Sequence, residues 1–150
     1  MNTDAEGLEG APFRMDIERG KIREFAVATR SDHPGYLDDE APVVPATFLT
    51  TASFWQHGAA DPWPALELDQ RRGLHAEQEF VFHGPPPRAG DRLTGRSRIT
   101  EVYQKPGRRG GTLTFAVMVT EFRDESGRLI AEAKLTGVET SDPLGGVVGS

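Results

Sequence analysis

The sequence predicts an α+β fold in which one long central helix is wrapped by a curved antiparallel sheet. Three observations predict it. Val44 to Trp55, VPATFLTTASFW, repeats large apolar residues at helical spacing: Phe48, Ala52 and Trp55 form a stripe, Val44 sits a turn earlier and Leu49 widens it. Thr47, Thr50, Thr51 and Ser53 between them are small or polar, so such a helix can lie close against a sheet. The segments that follow alternate like strands and run to about ten residues each, long for strands. Long antiparallel strands twist and curl, which leaves a concave face that one helix can fill. An ordinary amphipathic helix on an α+β sandwich is the alternative that the same pattern allows.

Composition narrows the class. A chain of 150 residues fits one domain, here placed at 13–140 between a flexible N-terminus (1–12) and a flexible tail (141–150). Neither end shows apolar periodicity, and both are rich in Gly. No apolar run approaches the ~20 residues that cross a bilayer. The start, MNTDAEGLEGAPF, has acids and glycines where a secretory signal has a basic end and an apolar middle, so a cytoplasmic location is expected. There is no Cys, hence no disulfide, thiolate metal site or Cys nucleophile. The net charge of -6 argues against a nucleic-acid binder, whose affinity rests on neutralising phosphates. Arg71-Arg72 and Arg108-Arg109 are local basic pairs on an acidic chain.

In chain order, Phe13, Met15 and Ile17 alternate with Arg14 and Asp16 as a short strand. Arg19 to Thr29 reads as a helix with Ile22, Phe25, Ala26 and Thr29 on one face. Arg30 to Pro42, RSDHPGYLDDEAP, is a loop, since Pro34-Gly35 and Pro42 interrupt helix and Asp38-Asp39-Glu40 keep it wet. Such a loop can deliver side chains to the N-terminal end of the central helix. After that helix, Asp61-Pro62-Trp63-Pro64 is expected to be non-helical. Leu74 to His83 alternates with Leu74, Ala76, Phe80 and Phe82 on one face. The proline-rich turn Gly84 to Asp91 belongs at a sheet edge or tip, because Pro cannot donate to a ladder. Arg92 to Tyr103 follows as a strand. Two alternating runs around Asp124-Glu125-Ser126-Gly127 complete a hairpin.

The order of these pieces resembles the MaoC-like hydratase/dehydratase family. The residues that carry the resemblance are IREFAVAT, SDHPGYLDD, PATFLTTASFW and EQEFVFHGPPPRAGDRL, followed by the long hairpin. The resemblance implies a hotdog fold acting on acyl-CoA or acyl-carrier-protein thioesters, with no further cofactor. Catalytic members carry G-D-x-N-P-x-H in the loop before the central helix. Its Asp and His act together as acid and base on one water. Aligned on Pro34, this chain has Arg30 for the Gly, Ser31 for the Asp, His33 for the Asn and Tyr36 for the His. Both members of the dyad are replaced. The chain therefore resembles the dyad-free, substrate-shaping half of heterodimeric (R)-specific 3-hydroxyacyl-thioester dehydratases, and the implied partner is a dyad-bearing MaoC-like hotdog subunit. No residue of this chain is expected to be catalytic. His33, Tyr36, Phe48, Leu49, Ala52, Trp55 and His75 are the expected substrate-binding residues.

Rival readings remain at this stage. A stand-alone hotdog thioesterase could use Asp38, Asp39 or Glu40 to activate water. A non-enzymatic homodimer could bind acyl thioesters without turnover. Ser31, Asp32 and His33 are consecutive and cannot form a nucleophilic triad, and no G-x-S-x-G elbow is present. His75 and His83 lie at opposite ends of one strand, on one face by parity and too far apart to share a metal. No metal site is expected.

Overall fold

The alternating runs predicted from residue 74 onward do form the sheet, and its turns follow from local chemistry. The computed structural model describes residues 1–108 and 110–141. Its regular elements are β1 (Phe13–Asp16), α1 (Arg19–Ala28), α2 (Pro34–Leu37), β2 (Gly73–Phe82), β3 (Arg92–Pro106), β4 (Thr112–Arg123) and β5 (Leu129–Thr140). The five strands make one antiparallel sheet in the order β1-β3-β4-β5-β2. At the β4–β5 hairpin the Asp124 carboxylate accepts from the Ser126 and Arg128 amides and the Ser126 hydroxyl, while Gly127 takes φ 84° to close the turn.

The central segment differs from the expected long α-helix. Phe48–Phe54 is a 3₁₀ helix of seven residues. Three hydroxyl-bearing β-branched residues precede or interrupt it, and Ser53 donates to the Thr50 carbonyl at 3.3 Å, a local bond that competes with α-helical pairing. With three residues per turn, Phe48 stacks on Thr51 and Leu49 on Ala52, and these four are buried. Trp55, expected on the same stripe, is the residue that ends this helix and stands half-buried at the rim. The longest helix is α1, whose Ile22 and Ala26 are fully buried and whose Phe25 ring meets Phe48 edge-on at 5.5 Å.

Three further expectations are corrected. The Arg30–Pro42 loop contains one helical turn, α2, because Pro34 is pre-set for the first helical position and the His33 imidazole caps it, its Nδ1 accepting from the Gly35 amide at 3.0 Å. Trp63–Leu66 is likewise a 3₁₀ turn with a proline in its first turn. The N-terminal stretch 1–12, expected to be flexible, is packed. Ala5 is fully buried, Gly7 and Gly10 donate to the Ile99 and Ser97 carbonyls of β3, and Glu9 bridges Arg98. Backbone pairing needs no apolar periodicity, so the sequence pattern carried no sign of it. Of the expected tail, 142–150 lie outside the described residues, as does Arg109.

The core has two clusters. The first joins β1, α1 and the central 3₁₀ helix to the concave sheet face through Phe13, Met15, Ile22, Phe48, Leu49, Leu93 and Phe122. Phe13 meets Phe122 edge-on, and Gly95 makes room: a Cβ there would run into the Phe13 ring. The second joins Ala5, Leu66, Ile99 and Ala116, with Met1, Trp63 and Val102 packed around them.

Candidate functional site

Strand parity decides what faces the concave side. Ile99 pairs with Met118, Met118 with Leu135, and Leu135 with Gln78. Side chains at directly paired positions share a face. Ser97, Thr120, Ala133 and Phe80 form the next row, and the Ser97 and Thr120 hydroxyls are hydrogen-bonded at 2.7 Å within it. Large groups fill this face at the β1 end. In mid-sheet the side chains shorten, and the 3₁₀ helix above presents Leu49, Thr50, Ala52 and Ser53. The gap is a cavity of about 200 Å³ whose wall includes Leu49, Ala52, Gln56, His75, Gln78, Met118, Thr120 and Leu135. A second cavity of about 180 Å³ adjoins it, bounded by Trp63, Leu68, Gly73, His75, Leu135 and Gly137. His75 and Leu135 wall both, so the free space follows the first part of β2, from Gly73 to Gln78. Gly137 is required there, since a Cβ would come within 2.7 Å of the Trp63 ring.

His75 reaches this space through a β-bulge. The β2–β5 register shifts between His75 and Glu77, so Ala76 is the extra residue. His75 pairs with Gly137 on the concave side, whereas Leu74, Glu77, Glu79 and Val81 stand on the outer side. The expected common face of His75 and His83 is thereby overturned. His83 is on the outer face, where its Nε2 lies 2.6 Å from the Glu132 carboxylate. The expected stripe of Leu74 with Phe80 and Phe82 fails for the same reason.

Of the seven expected substrate-binding residues, the cavity brings together Leu49, Ala52 and His75. Phe48 is core, 1% exposed. Trp55 lines a separate apolar hollow with Thr51, Phe54, Glu18 and Lys21. The Thr51 hydroxyl, buried beneath it, has no hydrogen-bond partner among the described residues. His33, which caps α2, and Tyr36 within it have ring centroids 5.1 Å apart with the rings tilted by 42°, and they line neither cavity. Gln56, Gln78, Met118 and Leu135 were missed. Their convergence depends on a register set by bulges in β2 and beside Arg123, which no residue pattern marks.

The chemistry of the walls is one-sided. Neither cavity has a carboxylate in its wall, and His75 is the one imidazole. Asp39, in the loop before the 3₁₀ helix, accepts from the Ala41 amide and lies 3.9 Å from Arg88, outside both cavities. No group of three or more metal-ligating side chains occurs among the described residues. The strongest electrostatic cluster lies at the far end of β5. Burial alone would raise the Glu139 carboxyl, but the Met1 ammonium and the Asp69 amide, each at 2.8 Å, and Arg72 at 3.1 Å together hold it below the usual range. Hydrogen bonds from Arg71 hold Asp69 far below that range too.

A curved antiparallel sheet closed over one short central helix, with free space between them, is the hotdog fold. Residues 5–133 match the family described as FAS1-like, dehydratase domain region, and the chain belongs to that family. Over 126 residues it is 34% identical to a UPF0336 protein of Streptomyces griseus, covering 79% of this chain and 80% of that one. Among solved structures it is similar to a chain of the C-terminally truncated HadBC (3R-hydroxyacyl-ACP dehydratase) complex from Mycobacterium tuberculosis. The TM-score is 0.70 at 28% identity, over 92% of this chain and 99% of that one. A MaoC-like dehydratase shares the fold at TM-score 0.68 and 23% identity, over 87% of this chain and 41% of that one. The resemblance to MaoC-like proteins noted from the loop and strand motifs is borne out. Among the described residues, no helix is long and apolar enough to cross a membrane.

Proposed function

We propose that this chain is the substrate-shaping subunit of an (R)-specific enoyl-thioester hydratase or 3-hydroxyacyl-thioester dehydratase, working with a MaoC-like partner that supplies the Asp and His. The observation that carries this reading is the cavity under the central helix: walled by Leu49, Ala52, Met118 and Leu135 with neutral polar side chains such as Gln56, Gln78 and Thr120 between them, and holding an imidazole with no carboxylate beside it. Hydration across an enoyl thioester needs an acid and a base at one water. The cavity offers space for an acyl chain but not that pair. The HadBC structure is itself a complex of two kinds of subunit, named as a 3R-hydroxyacyl-ACP dehydratase. The absence of a carboxylate from the walls disfavours the thioesterase reading as well.

The test is reconstitution. The purified chain alone should neither hydrate crotonyl or longer enoyl thioesters nor release thiol from acyl thioesters. Co-expressed with a dyad-bearing subunit encoded nearby, it should restore hydration. Ala52→Trp, which fills the cavity, should then lower kcat/KM for long acyl chains by at least about tenfold, the loss expected when ~1.4 kcal/mol of transition-state binding is removed. Hydration by the lone chain at the rate of the pair would overturn the proposal.

A further inference from the structure

The central 3₁₀ helix borders free space on two sides. Leu49, Thr50, Ala52 and Ser53 wall the cavity against the sheet. Thr51, Phe54 and Trp55 border a different hollow of about 270 Å³, completed by Glu18 and Lys21 from the start of α1. The two spaces share no residue. Two features set this hollow apart from plain core and from plain surface. Phe54 is 71% exposed, more than any other large apolar side chain among the described residues. Thr51 is 6% exposed, and its hydroxyl is the one buried side-chain polar atom among the described residues with no hydrogen-bond partner. A hydroxyl stripped of water and left unpaired costs stability. Valine would fill the same space without that cost.

The walls define the ligand class. Phe54 and Trp55 supply two aromatic rings, which gain more from another ring than burial alone gives. Glu18 and Lys21 carry opposite signs, and Lys21 is already held by Glu24 at 2.7 Å, so the rim selects neither charge. An apolar cavity of about 150 Å³ holds one benzene ring, so this hollow has room for two fused rings. Threonine in a helix divides between two χ1 rotamers, which exchange its hydroxyl with its methyl. We propose that the hollow is a binding site for a neutral two-ring aromatic molecule bearing one N–H or O–H, and that Thr51 turns about χ1 to accept that hydrogen. The site is separate from the cavity under the central helix, and the proposal stands independently of any role in thioester hydration.

The test titrates the full chain with indole and with its all-carbon isostere indene, followed by nuclear magnetic resonance. Indole should shift the Trp55 Nε1–H and the amides of 51–55 to saturation. It should bind at least about tenfold more tightly than indene, because a site that pairs a ligand N–H rejects the analogue lacking it. Thr51→Val keeps the shape and removes the hydroxyl. It should bring the two probes to within about twofold of each other, with a urea midpoint no lower than that of wild type. Phe54→Ala, at an exposed position, should weaken both probes at least about fivefold while leaving the fold intact. Equal binding of indole and indene to wild type, or an unchanged ratio in Thr51→Val, would overturn the proposal. So would shifts confined to Gln78, Met118 and Leu135, or no saturable shift up to the solubility of indole. A lower urea midpoint for Thr51→Val would overturn it as well, since the hydroxyl would then be paired in the free protein.

Discussion

The two core clusters sit on either side of the same free space, yet they are built in different ways. The first packs large side chains from regular elements: Phe48 edge-on to Phe25 and Phe13 edge-on to Phe122, with Ile22 and Met15 in the same cluster. The second is held by close backbone approach and by single residues on short turns. Gly137 lies against Trp63, and Leu66 projects from a 3₁₀ turn onto Ile99 and Ala116. An ion pair between the Met1 ammonium and Glu139 ties it down. The cavity takes Leu49, Ala52 and Phe122 from the first cluster, and the adjoining cavity takes Trp63 from the second. Bulk gives one wall its stiffness, while glycine and charge give it to the other.

Three experiments break or sharpen that contrast, beginning with the largest effect. Phe48→Ala removes a ring that is 1% exposed and should lower the unfolding free energy by about 3–5 kcal/mol, read from urea denaturation. A cost under about 1 kcal/mol would mean that the first cluster is not held by bulk. Gly137→Ala drives a Cβ against Trp63 and should cost about 1–3 kcal/mol with the denaturation slope unchanged. If it is neutral, the approach of β5 to Trp63 is not tight. The smallest effect is acid sensitivity. Glu139 and Asp69 titrate below their unfolded values, so the unfolded chain binds more protons as pH falls past about 4. The stability they contribute is full above that pH and is lost as pH drops through the folded values. Between about pH 5 and pH 2 the urea midpoint should fall, and Glu139→Gln should flatten the fall. Phe48→Ala should leave its slope intact, because the first cluster contains no carboxylate.

The clusters also differ in how far they could be read from sequence. Ile22, Phe25, Ala26 and Phe48 recur at helical spacing, and the strands of the final hairpin alternate, so the first cluster and the sheet were legible. Trp63 and Leu66 fall among prolines and acids, and Ala5 lies in a stretch with no period at all. Their burial is set by hydrogen bonds from Gly7 and Gly10 to β3, which any sequence can make. The candidate site is legible in part for a related reason. Leu49 and Ala52, three residues apart, stay on the buried side whether the helix winds with 3.0 or 3.6 residues per turn, but Trp55 lies at the helix end, where the chain leaves the helix and the side chain is half-buried. His75 reaches the concave face only because one extra residue is taken up at Ala76.

By itself the sequence determined the strands of the sheet and the helix α1, where the turns between the strands fall, and that the loop before the central helix reads Arg30-Ser31-Asp32-His33-Pro34-Gly35-Tyr36. These follow from local preference and periodicity, which neighbouring residues settle among themselves. Tertiary structure alone decided the tighter winding of the central helix, the docking of the first twelve residues, and the bulge that turns His75 inward and leaves Glu77 and Glu79 on the outer edge. Each depends on contacts between residues far apart in the chain, and a shift of one residue in pairing moves every side chain beyond it to the opposite face.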